Sequence, residues 1–196
     1  MNALIRYISK HVTISDEMKV DILAIINERQ LAKNDLLISQ NQGSVSSTFF
    51  IKKGIIRSYF IDKKGKEHTL GFAKKHGWIT DYMALYSDNV ARLNIECVNE
   101  STVFEIKRKD IANLFKKYPL IETFHRKNIE KAIVMLNKRL LDQLHLSASE
   151  RYFKFLESYT DIHNCIPNCY IASYLGITEQ SLSRIRSNKK LTFGNF

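Results

Sequence analysis

The sequence predicts an α+β fold: an N-terminal antiparallel β-roll of jelly-roll type, then a long dimerisation helix, then a C-terminal helix-turn-helix domain lacking most of its wing. Three observations predict it. From about Leu31 to Lys107, short runs rich in Ile, Val, Phe, Thr and Tyr alternate with glycine-bearing turns. After Lys107 the apolar period becomes helical and stays so through one unusually long segment. Near the C-terminus, two short amphipathic segments flank Gly176.

The elements follow in order. Ser15 offers a cap with Asp16 and Glu17 behind it, and Met18, Ile22, Ile25 and Ile26 recur at helical spacing. Strands are predicted at Leu36–Gln40, Thr48–Lys52, Ile55–Ile61, Glu67–Phe72, Leu93–Val98 and Thr102–Ile106. Asp62–Lys66 reads as a hairpin turn in which Gly65 takes positive φ. Asp110–Tyr118 is helical, and Pro119 opens the next helix where a missing N–H costs little. In that helix Ile129, Ile133, Leu136 and Leu140 form a narrow apolar seam, with Val134, Leu141 and Leu144 as a second stripe beside it. The seam of Ile129, Ile133, Leu136 and Leu140 is expected to be the dimer interface, meeting a second copy of the chain, and the other stripe to cover the roll. A further helix spans Ser147–Tyr159, capped by Ser147 or Ser149. The predicted domains are residues 1–118 (roll and flanking helices), 119–145 (dimerisation helix) and 146–196 (helix-turn-helix).

Composition narrows the function classes. The 196 residues carry a formal net charge of +10, which suits a polyanionic partner. The last seventeen residues hold four bases and no acid, so local placement says more than the total. Three cysteines at irregular spacing, Cys97, Cys165 and Cys169, describe neither a disulfide framework nor a metal set. No stretch is apolar enough to cross a membrane, and the N-terminus has no signal-peptide pattern. The expectation is a cytoplasmic protein without metal or cofactor. No HExxH motif, nucleophile elbow or glycine-rich phosphate loop is present, so no catalytic residues are assigned and an enzyme is not expected.

The segment from Ile166 to Lys190 carries the functional expectation. Tyr170, Ile171, Tyr174 and Leu175 give one helix an apolar face, Gly176 ends it, and Thr178 caps a second helix anchored by Leu182 and Ile185. Its free face suits a DNA major groove. Glu179, Gln180, Ser183 and Arg184 are the candidate base contacts: Arg can pair bidentately with guanine and Gln with adenine. Thr178, Ser181, Arg186, Lys189 and Lys190 are the candidate phosphate contacts.

This segment, Tyr170–Thr178 with Ser181–Ile185, resembles the helix-turn-helix of the Crp/Fnr family of bacterial regulators. Phe49–Arg57 followed by Asp62–Glu67 resembles that family's cyclic-nucleotide-binding roll, and Ala148–Leu156 resembles its linking helix. The resemblance covers nearly the whole chain in order. It implies a sensor roll and a homodimer that places two recognition helices about one DNA turn apart. It also implies an effector pocket at Gly71, Thr80, Asp81, Tyr82, Ala91 and Arg92. Members that bind cyclic AMP hold its ribose with a Gly-Glu pair and its phosphate with an Arg-Ser or Arg-Thr pair. Here Thr80-Asp81 and Ala91-Arg92 stand in their place. The arginine is one position late, where strand alternation turns it to the other face, so an effector other than cyclic AMP, of unknown identity, is expected. The chain ends at Phe196, so Lys190–Phe196 is expected as a stub of the usual wing. The alternative is a sensor or interaction module of this fold that no longer reads DNA.

Overall fold

The structure, a computed structural model, describes residues 2–87 and 90–193, the last five of these as backbone only. Two short helices lead in: α1 (Ala3–Ser9) and α2 (Asp16–Ala24), the latter capped by the Ser15 hydroxyl accepting from Met18 N–H. Eight strands follow: β1 (Asn27–Leu31), β2 (Leu36–Ile38), β3 (Ser47–Lys53), β4 (Ile55–Ile61), β5 (Glu67–Lys74), β6 (Trp78–Ile79), β7 (Asn94–Cys97) and β8 (Ser101–Lys107). They form two four-stranded sheets, ordered β1-β8-β3-β6 and β2-β7-β4-β5, with every pairing antiparallel. Between β6 and β7 lies helix α3 (Tyr82–Ser87). Helices α4 (Arg108–Lys117), α5 (Pro119–His145), α6 (Ala148–Ser158), α7 (Asn168–Leu175) and α8 (Glu179–Phe193) complete the chain.

All six predicted strands are present. Strands β1 and β6 and helix α3 were not anticipated. The Asp62–Lys66 turn is as expected: Gly65 sits at φ +79° and donates to Asp62 O, while the Asp62 carboxylate accepts from Lys64 and Lys66 N–H.

Strand alternation divides the apolar side chains between two cores. Phe49 and Ile51 face between the sheets with Ile56, Ile95 and Val103. Phe50, Phe104 and Ile106 face outward and are covered by Leu4, Ile8 and Ile22 of the lead-in and by Leu114, Ile121 and Phe124. Both faces of that sheet are therefore buried, which explains the nearly continuous apolar run of β3.

The long helix departs from expectation. Pro119 opens it at the first position, and only Ile121 and Phe124 are buried. Beyond Glu130 both stripes are bare: Ile133, Leu136 and Leu140 are exposed, and so are Val134, Leu141 and Leu144. Neither stripe covers the roll. The outer half of α5 meets the roll through a polar residue instead, Arg139.

Candidate nucleic-acid interface

The turn between α7 and α8 is built as its sequence requires. Gly176 adopts φ +69°. The N–H of Ile177 donates to Ala172 O at 3.0 Å, and that of Gly176 to Ser173 O at 3.2 Å. Those two bonds close a Schellman motif, which only a residue tolerant of positive φ completes cheaply. Thr178 Oγ1 then accepts from Ser181 N–H at 3.2 Å and caps α8. Leu182 is 1% exposed, packed with Ile171, Leu175 and Phe155. This fixes the rotation of α8 about its axis, and Glu179, Gln180, Ser183 and Arg184 come out exposed on one side.

The candidate phosphate contacts divide differently. Thr178 and Ser181 share a hydroxyl contact of 3.0 Å at the cap. Arg186 ties α8 to the rest of its domain: Nε donates to the Tyr152 hydroxyl at 2.9 Å and a terminal nitrogen to Asn168 Oδ1 at 2.6 Å. The side chains of Lys189 and Lys190 lie outside the described residues. The backbone continues α8 to Phe193 instead of leaving the helix at Lys190, while residues 194–196 are outside the described part.

Sequence reasoning missed what orients this unit. In the second sheet β5 is an edge strand, and α7 caps that edge. The Ser173 hydroxyl accepts from Thr69 N–H and donates to Glu67 O, both at 2.9 Å. Strand β5 bulges at Leu70, because Ser58 pairs with Gly71 but Tyr59 with Thr69. The guanidinium of Arg139 takes up the carbonyls around the bulge, donating to Leu70 O and Thr69 O, and also to Tyr174 O. It lies 4.0 Å from the Tyr174 ring.

Beside this joint Arg57 is 1% exposed. Its two terminal nitrogens each donate at 2.7 Å, one to Glu67 and one to Glu96. Its plane is held between the rings of Tyr59 at 3.7 Å and Tyr170 at 3.5 Å. Burial by itself would lower the guanidinium pKa, but the bonds to Glu96 and Glu67 outweigh it and raise it. Burial foremost, with the nearby Glu96 charge, pushes the Tyr59 phenol up to about 12. These polar contacts, with an apolar cluster in which Ile55, Phe72 and Val98 of the roll pack with Phe155, Ile171 and Leu175, seat the helix-turn-helix on the roll. The one signal in sequence was Arg57 itself, a cation amid the apolar run of β4.

Of the candidate effector residues, Asp81 and Thr80 are hydrogen-bonded into the fold. Asp81 is fully buried: one carboxylate oxygen accepts from Ala84 N–H at 3.1 Å, capping α3, and the other accepts from Arg92 and Leu93 N–H at 2.7 and 3.0 Å. The chain's own carboxylate therefore occupies backbone donors of the kind an anionic ligand would use. Thr80 donates to Ser47 O at 2.9 Å. Gly71 lies in β5 opposite Ser58, Ala91 is buried, Tyr82 is 38% exposed, and Arg92 is exposed to solvent. Among the described residues no cluster of three or more His, Cys, Asp or Glu side chains could hold a metal, and no helix is long and apolar enough to cross a membrane.

The molecule is thus a β-roll joined by a long helix to a helix-turn-helix. Residues 28–118 match the family model of the cyclic nucleotide-binding domain. No curated protein matches the chain. Among solved structures it is similar to FixK2 of Bradyrhizobium japonicum, with TM-score 0.73 and 18% identity over 87% of this chain and 86% of that one. It is also similar to CLP of Xanthomonas campestris, described as a c-di-GMP-responsive global regulator, with TM-score 0.72 and 10% identity over 91% and 93%. A mutant CooA of Carboxydothermus hydrogenoformans aligns with TM-score 0.70 and 18% identity over 94% and 83%. The chain is Crp/Fnr-like in fold, which it shares with a proposed transcriptional regulator of that family from Eubacterium rectale (TM-score 0.69, 16% identity over 91% of this chain and 85% of that one).

Proposed function

We propose that this chain is a DNA-binding transcription regulator of the Crp/Fnr type, acting as a homodimer on a two-fold symmetric site. Residues 1–118 would be its sensor roll, 119–145 its dimerisation helix and 146–196 its reader. The observation that carries this reading is the exposed polar face of α8 (Glu179, Gln180, Ser183 and Arg184), standing on a capped and buried helix-turn-helix. Arg184 and Gln180 carry the two side-chain types best matched to guanine and adenine edges. The bare apolar stripes of α5 support the dimer, because contiguous exposed apolar surface of that extent marks an association face. Regulation of gene expression, stated for the Xanthomonas structural relative, fits the same assignment. Any effector is a molecule other than cyclic AMP, since the Asp81 carboxylate is consumed by Ala84, Arg92 and Leu93 and the Arg92 side chain faces solvent.

The test is a binding selection on random duplex DNA with the purified protein. Recovery of a palindrome whose half-sites lie about one helical turn apart is expected. Arg184→Ala should cost about 1–3 kcal/mol at one base position and relax the preference there. A second reading, a module of this fold that no longer reads DNA, is favoured by Arg186 being tied to Tyr152 and Asn168. It predicts weak recovery of unrelated sequences with no loss on Arg184→Ala.

A further inference from the structure

A cavity lies outside the roll interior, at the junction of α3, α4 and the first turns of α5. Its volume is about 140 Å³. Tyr82, Leu85 and Tyr86 of α3 form one wall, and Ile111 and Phe115 of α4 form the other. The rings of Tyr82 and Tyr86 are stacked, nearly parallel, with centroids 6.3 Å apart. Polar residues also line the cavity: Thr48 from β3, His125 from α5 and Arg108 at the start of α4. Phe115, Ile111 and His125 also line a neighbouring cavity of about 30 Å³, on whose far side stands Trp78, with its ring 5.9 Å from that of His125.

Size and lining select the ligand. An enclosed apolar cavity of roughly 150 Å³ holds one benzene ring, and this pocket of similar volume, open to solvent beside Tyr82 and Tyr86, matches a single six-membered aromatic ring. The charge at its edge is already engaged: the Arg108 guanidinium donates to Leu85 O and lies 5.1 Å from the Tyr86 ring. A carboxylate or phosphate would have to rearrange those contacts, whereas a neutral molecule would not. Burial pushes the His125 imidazole below its ordinary range, so one ring nitrogen keeps a lone pair that can accept from a hydroxyl. The Thr48 hydroxyl holds only a long bond of 3.5 Å to Ile79 O and can turn toward a guest.

We infer that this junction is a binding site for a small uncharged aromatic alcohol, a single ring bearing one hydroxyl. The ring would lie between the α3 tyrosines and Phe115, with its hydroxyl meeting Thr48 and His125. The position also provides a route to regulation. Asp81 ties the start of α3 to residues 92 and 93, and His125 stands near the start of the helix proposed to dimerise. A guest between α3 and α5 would change how α5 leaves the roll. The binding half of this inference stands by itself, and the regulatory half rests on the DNA-reading proposal above.

The experiment titrates the full chain with phenol, toluene and benzoate while following Trp78 emission, the chain's only tryptophan, and binding heat. Phenol and toluene should saturate with Kd on the order of 1 mM or tighter, and benzoate should not. Ala112→Phe, at an exposed helical position on the cavity mouth, should abolish both signals. If that variant fails to fold by circular dichroism, Ala112→Leu serves in its place. Thr48→Val should weaken phenol about three- to tenfold and leave toluene unchanged. Responses that stay linear, or equal affinity in the Ala112 variant, would overturn the site. In a second arm phenol should shift affinity for the selected DNA in the parent chain and not in the Ala112 variant. Saturable phenol without DNA binding sinks the reader alone. DNA binding without saturable phenol sinks this inference alone. Phenol bound with unchanged DNA affinity removes the regulatory half.

Discussion

Two contacts of the long helix and reader differ in kind. Where α7 and Arg139 meet β5, directional polar contacts flank an apolar cluster: Ser173 bridges two backbone groups of an edge strand, Arg139 closes a bulge and Arg57 is paired with two carboxylates between two rings, beside Ile55, Phe72 and Val98 of the roll packed with Phe155, Ile171 and Leu175. Along the outer half of α5 the two apolar stripes are bare, with Leu136 64% and Leu144 76% exposed. Hydrogen bonds and stacked guanidinium groups are directional, so the first contact specifies one orientation of the reader on the roll. Apolar burial is non-directional and scales with area, so the second offers association free energy with less demand on geometry. Directional polar contacts thus set the orientation within one chain, whereas the bare stripes of α5 are the association face proposed for the dimer.

The largest effect is expected from the apolar side. Leu136→Glu with Leu140→Glu places two carboxylates on the seam and should convert a dimer to a monomer by light scattering. Affinity for a two-fold site should then fall by about 10²-fold or more, because the second half-site no longer binds as a tethered partner. Thermal stability of the monomer should change little, since both positions are exposed in one chain. A parent protein that is monomeric at micromolar concentration would sink the dimer proposal.

On the polar side Arg57→Ala leaves Glu96, whose side chain is 8% exposed, without its counter-charge. Removing one partner of a buried pair costs about 3–5 kcal/mol. Glu67 is 42% exposed in its side chain, finds water, and adds little. Denaturant unfolding should show the loss without any change in oligomer mass. Arg57→Met combined with Glu96→Gln should recover most of it, because the cost lies in the orphaned charge more than in the lost attraction. A loss below about 1 kcal/mol for Arg57→Ala would mean that Glu96 is rehydrated and the joint is open in solution.

These two contacts were not equally legible in the sequence. The α5 seam was visible as a period, and so were the roll strands and the Gly176 turn, because each is a local pattern of residue types. The joint was not. Arg57, Glu67, Glu96 and Tyr170 are spread over more than half the chain, and only sheet order and strand register bring them together. Strand β1 (NERQL) carries no apolar alternation, and α3 is six residues long, shorter than a helical period can establish. Asp81 shows the ambiguity of a single residue. Its position by resemblance suggested a ligand contact, whereas an Asp three residues before Ala84 is equally a helix cap, and the structure uses it so. The exposure of both α5 stripes was also beyond sequence reach, since period alone does not say what covers a face.

A milder break of the joint is Ser173→Ala. Thr69 N–H and Glu67 O lose their partner at the edge of β5 that α7 covers, where water partly replaces it. The expected loss is about 1 kcal/mol, with faster amide exchange at Thr69 as the specific signature. Unchanged exchange there would show that α7 does not protect this edge.

The smallest effect is one of pH, and it sharpens the comparison by touching neither contact. Burial lowers the pKa of His125, which packs against Trp78 and Phe115 and shares its cavity with Arg108, Tyr82 and Tyr86. His76 is lowered by burial and then by the charges of Lys75 and Lys10. In both cases the unfolded chain takes up the proton more readily than the folded one, so stability rises with pH across the window. The contribution is complete above the ordinary value of 6.5 and is lost as pH falls from there through the lower folded values. Asp62 and Asp161 titrate in a separate, more acid window, because bonds to His68 and Lys74 hold them below 3.8. Unfolding midpoints should therefore drop between pH 7 and 5, and His125→Phe with His76→Asn should flatten that limb, Asn being tolerant of the positive φ at position 76. A slope left intact in the double variant would assign it to other groups.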